Sequence, residues 1–257
     1  MRMKKKIVLP LTGMLLAALL GAGCQKAVVY EENHPGVYNV CRVAGFNLGP
    51  NGAGQVVTYN QAGNPVSVLA ITPPINGAGV NLYFNYDDHN RVRDYQIIYY
   101  QGTTPVVWHR YTYPRPHIAI DSEYAYDTGP RTAPYPELSS FQGLSVDSFD
   151  DEGRILRQGN GPTDPVFVYD ERGNNTADPN FRTFDDKINP YRTNYTWMFV
   201  FHSFNTNNPL ADSIASYDQY GLPTAFRSKN IYDYFGLIYG ESFTVTYSCD
   251  LAPQAGL

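Results

Sequence analysis

The sequence predicts an all-β protein, an antiparallel meander of successive hairpins with few or no helices after a short leader. Three observations predict it. The chain of 257 residues holds 22 Tyr and 13 Phe, with 22 Gly and 19 Pro to turn it, a mixture suited to pleated, half-buried surfaces. Apolar residues recur with a period of two in several windows. A five-residue pattern of turn chemistry appears five times.

Arg2, Lys4, Lys5 and Lys6 precede an apolar run from Ile7 to Leu20, and the small residues Gly21, Ala22 and Gly23 lead to Cys24. Residues 1–23 therefore read as a signal peptide. The run falls short of the roughly 20 apolar residues a spanning helix needs, and no later segment replaces it, so no transmembrane span is expected. Leu20-Gly21-Ala22-Gly23-Cys24 resembles the lipobox of bacterial lipoproteins, with Gly21 where the family usually has leucine. The resemblance implies cleavage before Cys24 and diacylation of its sulfur. Ordinary signal-peptidase cleavage nearby is the alternative. Residues 24–35, polar and carrying Glu31, Glu32 and Asn33, read as a lipid-anchored tether. No Ser/Gly-rich or Pro-rich linker divides the rest, so residues 36–257 form a single β domain.

Charge excludes one class of partner. The leader takes four of the 19 basic residues, leaving 15 against 24 acidic ones, a formal charge near −9. No stretch after Lys26 clusters Lys or Arg, so the counterion release that drives nucleic-acid binding has no basic patch behind it. Once Cys24 is set aside, Cys41 and Cys249 remain near the two ends of the domain. An export route permits a disulfide between them, and two buried free thiols are the alternative. No third ligand lies near them for a metal.

Within the domain, Leu82, Phe84 and Tyr86 alternate onto one face of a strand. Trp197, Phe199 and Phe201 share that period, as do Phe243, Val245, Tyr247 and Cys249. The short helix candidates are 138–144 and 231–238. The repeat is aromatic, Asp or Asn, two variable residues, then Gly or Asn. Its copies begin at Tyr59-Asn60, Tyr86-Asp87, Phe149-Asp150, Tyr169-Asp170 and Tyr217-Asp218, and end at Gly63, Asn90, Gly153, Gly173 and Gly221. Asp or Asn opens a type I turn by accepting a backbone N–H two residues on, and the fifth residue must take φ > 0. Glycine does so freely, and asparagine next best. The copies are unevenly spaced, so a solenoid of fixed period is not expected.

At these residues the chain resembles the YD repeats of the RHS family, whose units read Tyr-x-Tyr-Asp-x-x-Gly-Arg-Leu. The nearest copies are Asn85-Tyr86-Asp87-Asp88-His89-Asn90-Arg91-Val92 and Ser148-Phe149-Asp150-Asp151-Glu152-Gly153-Arg154-Ile155. It is also similar to YD-like lipoproteins of Bacteroidetes. The resemblance implies one extended, curved sheet. Three copies lack the Arg, and no toxin or shell-closing domain is attached. Asp212-Ser213-Ile214 is similar to the O-glycosylation motif of that phylum, which marks Ser213, and Cys24-Gln25-Lys26 resembles the start of its surface-export signal.

No nucleophile elbow, His-Glu-x-x-His, paired Cys-x-x-Cys or phosphate-cradling Gly loop is present. His34, His89, His109, His117 and His202 lack metal-ligand spacing and read as solvated or core residues. Acidic groups cluster at Asp147, Asp150, Asp151 and Glu152, at Asp170, Glu171 and Asp178, and at Asp185-Asp186. Calcium loops or a glycosidase pair would use such groups, but turn opening already accounts for Asp150 and Asp170. Trp108 and Trp197 lie in strand-like, Tyr-rich runs, where an indole packs a core or stacks on a sugar. The expected protein is a non-enzymatic envelope lipoprotein, a structural or binding scaffold at the outer membrane, with no cofactor and no metal. Its partners are the membrane, through the anchor, and a glycan or another envelope protein. A carbohydrate-binding surface lipoprotein of a nutrient-uptake system is the second reading, and a glycan hydrolase the third.

Overall fold

Each of the five repeat copies turns the chain back on itself. The computed structural model describes residues 38, 40–49, 54–71, 80–99, 106–126, 140–159, 161–177, 183–209, 213–227, 235 and 242–249. All belong to the second of two compact units, Val37–Leu257, the first being Met1–Gly36. The leader, Cys24, the tether and His34 lie outside the described residues.

The strands are β1 (Cys41–Asn47), β2 (Gly54–Tyr59), β3 (Pro65–Ala70), β4 (Val80–Tyr86), β5 (Val92–Tyr99) and β6 (Val106–Arg115). They continue as β7 (Ile118–Tyr126), β8 (Ser140–Phe149), β9 (Ile155–Gln158), β10 (Ile214–Tyr217), β11 (Pro223–Arg227) and β12 (Ser242–Cys249). All twelve form one antiparallel, curved, open sheet in the order β10-β11-β12-β1-β2-β3-β4-β5-β6-β7-β8-β9. The meander from β1 to β9 follows chain order. The last three strands join on the far side of β1, so the domain begins and ends in the middle of its own sheet. Cys41 stands opposite Cys249 there.

The turns have the expected chemistry. Asn60, Asp87, Asp150, Asp170 and Asp218 each accept, through Oδ1, the backbone N–H four residues on, at 2.8–2.9 Å. The four aspartates also accept the N–H two residues on. The fifth residues take φ from 59° at Asn90 to 84° at Gly63. A further hairpin, β6–β7, also follows a tyrosine, Tyr113, but Pro114 stands where the Asx would. It turns instead through Pro116 and His117, the latter at φ 61°.

Neighbouring hairpins are interlocked by tyrosine. Tyr86 donates to the carbonyl of Pro65, Tyr113 to that of Val92, Tyr169 to that of Ile155 and Tyr247 to that of Pro223. Each acceptor lies five residues past the Asx of an earlier turn, so one unit's ring holds the strand leaving another's turn. The motif's arginines strengthen two of these joints. Arg91 bridges Asp87 and lies over the Tyr113 ring at 4.1 Å, and Arg154 bridges Asp150 and lies over Tyr169 at 4.6 Å. A guanidinium so placed is attracted to the ring face.

One face of the sheet is covered by the chain itself. On this inner face Val57, Val68, Leu82 and Ile97 stand opposite one another across β2 to β5. Against them packs a 3-10 turn, Pro190–Thr193, followed by helix α1, Tyr195–Val200. Strand alternation at Trp197, Phe199 and Phe201 is therefore corrected to helix. Met198 and Val200 are apolar too, so the run is apolar at every position, and periodicity alone does not separate a buried strand from a buried helix. Local capping decides it: Asn194 is extended and its side chain accepts the Thr196 N–H, an N-cap. Trp197 is 0% exposed and meets Phe84 edge-on at 5.4 Å, while Phe199 meets Tyr111 at 4.9 Å. The helix candidate at 138–144 is also corrected, since residues from Ser140 on belong to β8. The candidate at 231–238 lies outside the described residues except for Phe235.

The loops around α1 are satisfied by amides rather than by ladder pairing. Asn174 and Asn207 exchange two hydrogen bonds, Asn205 accepts the Asn175 N–H, and Asn194 reaches across to the carbonyl of Gly63. These five asparagines are buried. Each supplies the partner that a buried backbone or side-chain polar group requires.

Candidate functional site

The inner face changes character towards β8. Phe84, Tyr95, His109, Glu123 and Gly143 stand in one cross-strand row, and Tyr111, Asp121 and Ser145 in the next. His109 Nδ1 lies 2.9 Å from Asp121 Oδ2, and the Tyr95 ring stacks on the imidazole at 4.5 Å and 2°. His202, just past α1, brings Nε2 to 3.1 Å from Asp147 Oδ2, and the Asp147 side chain is wholly buried. Ser145 Oγ donates to the other Asp147 oxygen at 3.3 Å. Burial pushes the Tyr111 phenol well above its ordinary value, reinforced by Tyr95, Asp121 and Asp147. An added Cβ at Gly143 would meet nothing within 4 Å, so there is open space at this end of the row.

Two imidazole–carboxylate pairs thus stand on one face. The His202–Asp147 pair ties the covering segment to β8, so its clearest physical role is to seat that segment on the sheet. Sequence reading missed both pairs, because they depend on strand register and on a contact across 55 residues. A weak signal was there: His109-x-Tyr111 and Asp121-x-Glu123 each place two polar or aromatic groups on one face of a strand.

Among the described residues, two groups have enough metal-ligating side chains close together. One is Cys41, Asp218 and Cys249: the fold brings Asp218 to the cysteines, against the expectation of no third ligand near them, but the two sulfurs are bonded to each other; the other is Asp87, Asp88 and His89 in an exposed turn. Asp87 already accepts from His89 and Arg91. Burial works against its charge, but those hydrogen bonds outweigh it and hold the carboxyl below its ordinary value. Turn and disulfide chemistry account for both groups.

Cys41 and Cys249 are disulfide-bonded, with sulfurs 2.12 Å apart. Trp197 sits in the core and has no face open to a ligand. Trp108 is on the outer face but only 6% exposed, packed with Ile98 and Tyr124 and overlaid by Arg110 at 4.9 Å. Ser213 is half-buried, directly before β10. The Asp185 oxygens accept from the Lys187 and Asn208 backbone N–H groups, the Asn208 amide and the Tyr217 hydroxyl. Asp178 lies outside the described residues. Comparison with protein-family models, curated proteins and solved structures found no match.

Proposed function

We propose that this chain is a cell-envelope lipoprotein, anchored through Cys24, that acts without catalysis as a structural or binding scaffold, with its sheet held at the outer membrane. One observation carries the reading: the inner face is filled by the chain's own helix and loops, with Trp197 and Phe199 at its centre, so the fold commits its largest aromatic groups to rigidity. The interlocked YD-like turns support the same reading, as does the leader. The sugar-binding reading is weaker because both indoles it depends on are buried. Ser213 is proposed as an O-glycosylation site, on its motif alone.

The test combines acyl labelling with a glycan array. The full chain should incorporate labelled palmitate and fractionate with membranes, and Cys24→Ala should lose both. Labelling retained in Cys24→Ala overturns the anchor. The unanchored Cys24→Ala protein should show no retention on the array; a sugar hit abolished by Trp108→Ala would transfer the case to the carbohydrate-binding reading.

A further inference from the structure

Among the described residues, the outer face at the β8–β9 end exposes a group of apolar side chains. Of the eight large apolar residues exposed among the described residues, five lie between 141 and 168: Phe141, Leu144, Leu156, Val166 and Val168, each between 40% and 58% exposed. Pairing and alternation put Phe141, Leu144, Val166 and Val168 on one side of the sheet, and Leu156 is the exposed extra residue at the β8–β9 bulge beside them. Phe141 stands opposite Tyr124, Leu144 opposite Ser122, and Val166 bridges Arg157, which stands opposite Ser148. A clustered apolar surface of this kind marks an interaction site more often than scattered exposed residues do.

The charges around it are sorted by face. The carboxylates of β7 and β8, Asp121, Glu123 and Asp147, share rows with His109, Tyr111 and Ala119 on the inner side. On the outer side of β6 to β9 the charged residues are Arg110, Arg115 and Arg157, all cations, in a chain whose formal net charge is −5. Asp94 of β5 stands opposite Arg110, and Arg157 donates to the Gly161 carbonyl, so Arg110 and Arg115 are the exposed cations at the edge. An apolar patch edged by exposed arginine, with no carboxylate on the outer side of β6 to β9 among the described residues, matches a phospholipid surface, where the aliphatic groups enter the headgroup boundary and the guanidinium groups meet phosphate.

Reach agrees with that occupant. Cys24 and Tyr38 are 14 chain steps apart, so their Cα atoms lie at most about 50 Å from each other. The patch begins on β8, seven strand spacings from β1, or about 34 Å at roughly 4.8 Å each. A lipid on Cys24 therefore permits this end of the sheet to touch the same bilayer, and tethering supplies the high local concentration that a weak patch needs. Resting on the anchor reading, we propose that Phe141, Leu144, Leu156, Val166 and Val168 dock the sheet onto the lipid surface that holds Cys24.

The experiment uses the full acylated chain in phosphatidylethanolamine/phosphatidylglycerol vesicles carrying a shallow nitroxide lipid. With Cys41 and Cys249 bridged and Cys24 acylated, Leu144→Cys takes a single fluorophore, and Thr244→Cys, exposed on the same face at β12, is the control. The Leu144 label should be quenched at least three-fold more than the Thr244 label, and Phe141→Asp with Val168→Asp should bring it to the control level. Equal quenching in acylated protein, confirmed by mass spectrometry, overturns the docking and leaves the anchor standing. Loss of quenching with a dimeric mass assigns the patch to a second copy and also overturns it. A chain without acyl mass sinks anchor and docking together.

Discussion

Removing the turn carboxylate of the Phe149–Gly153 hairpin tests the repeat most directly. Asp150 Oδ1 accepts from the N–H groups of Glu152 and Arg154 at 3.0 and 2.8 Å, and Oδ2 accepts from Arg154 Nε at 2.8 Å. Two net backbone hydrogen bonds are worth about 1 kcal/mol each. The ion pair is partly exposed and adds only a few tenths after screening. Asp150→Ala should therefore cost about 2 kcal/mol, a fall in Tm of roughly 4–8 °C for a domain of this size. Asp150→Asn keeps the Oδ1 acceptor, as Asn60 does in its own turn, and should cost about 0.5 kcal/mol, or roughly 1–2 °C. Gly153 supplies the complementary test. An added Cβ there meets only Tyr195, at 3.7 Å or beyond, so substitution isolates backbone strain at φ 74°. Gly153→Ala should cost about 1–2 kcal/mol, and Gly153→Asn distinctly less. Thermal unfolding followed by circular dichroism reads all four variants. An Asp150→Asn protein as damaged as Asp150→Ala, or an Asp150→Ala protein that melts with the wild type, would refute the turn argument.

Three further outcomes are expected. Replacing both Cys41 and Cys249 by Ser opens a loop closed across 208 residues, worth up to about 5 kcal/mol in the chain-entropy account, so the denaturant midpoint should fall sharply; an unchanged midpoint contradicts it. Burial raises the phenols of Tyr59, Tyr86, Tyr113 and Tyr169 above the ordinary 10.0, and pushes Tyr195 up to about 12. Their contribution is complete below pH about 10 and is lost as pH rises through the raised values, so stability should decline above about pH 10; absorbance at 295 nm should show a late, cooperative ionisation coincident with unfolding, and titration of every tyrosine near 10 contradicts it. Trp197→Ala should cost about 3–5 kcal/mol through lost packing. Its denaturant curve should shift accordingly, and a midpoint close to wild type would show that the ring is not the centre of the core.

The turns were legible because their determinants are local. An Asx, two spacers and a residue able to take φ > 0 specify the geometry whatever surrounds them, and all five copies adopt it. The β6–β7 hairpin escaped for the same reason, since Pro116-His117 makes its turn without an Asx. Helix α1 was misread because Trp-Met-Phe-Val-Phe is apolar throughout, and the cap at Asn194 was the only local sign of its state. The His109–Asp121 and His202–Asp147 pairs were illegible because register and long-range packing create them.

The interlocking tyrosines divide the fold's stability into two kinds of contact. From β2 to β9 each hairpin is fastened mainly to its neighbours, as Tyr86 is to Pro65 and Tyr113 to Val92, so energy passes along the sheet much as it does between stacked repeats. Contacts of the second kind cross the sequence: β1 with β12, the Cys41–Cys249 bond, and the covering segment seated through Asn194 on Gly63 and His202 on Asp147. Loss of one turn should therefore fray its own joint, whereas loss of the covering segment uncovers the apolar inner face of several strands at once. Cooperativity in this domain rests on the second kind, and those are the contacts that short motifs do not encode.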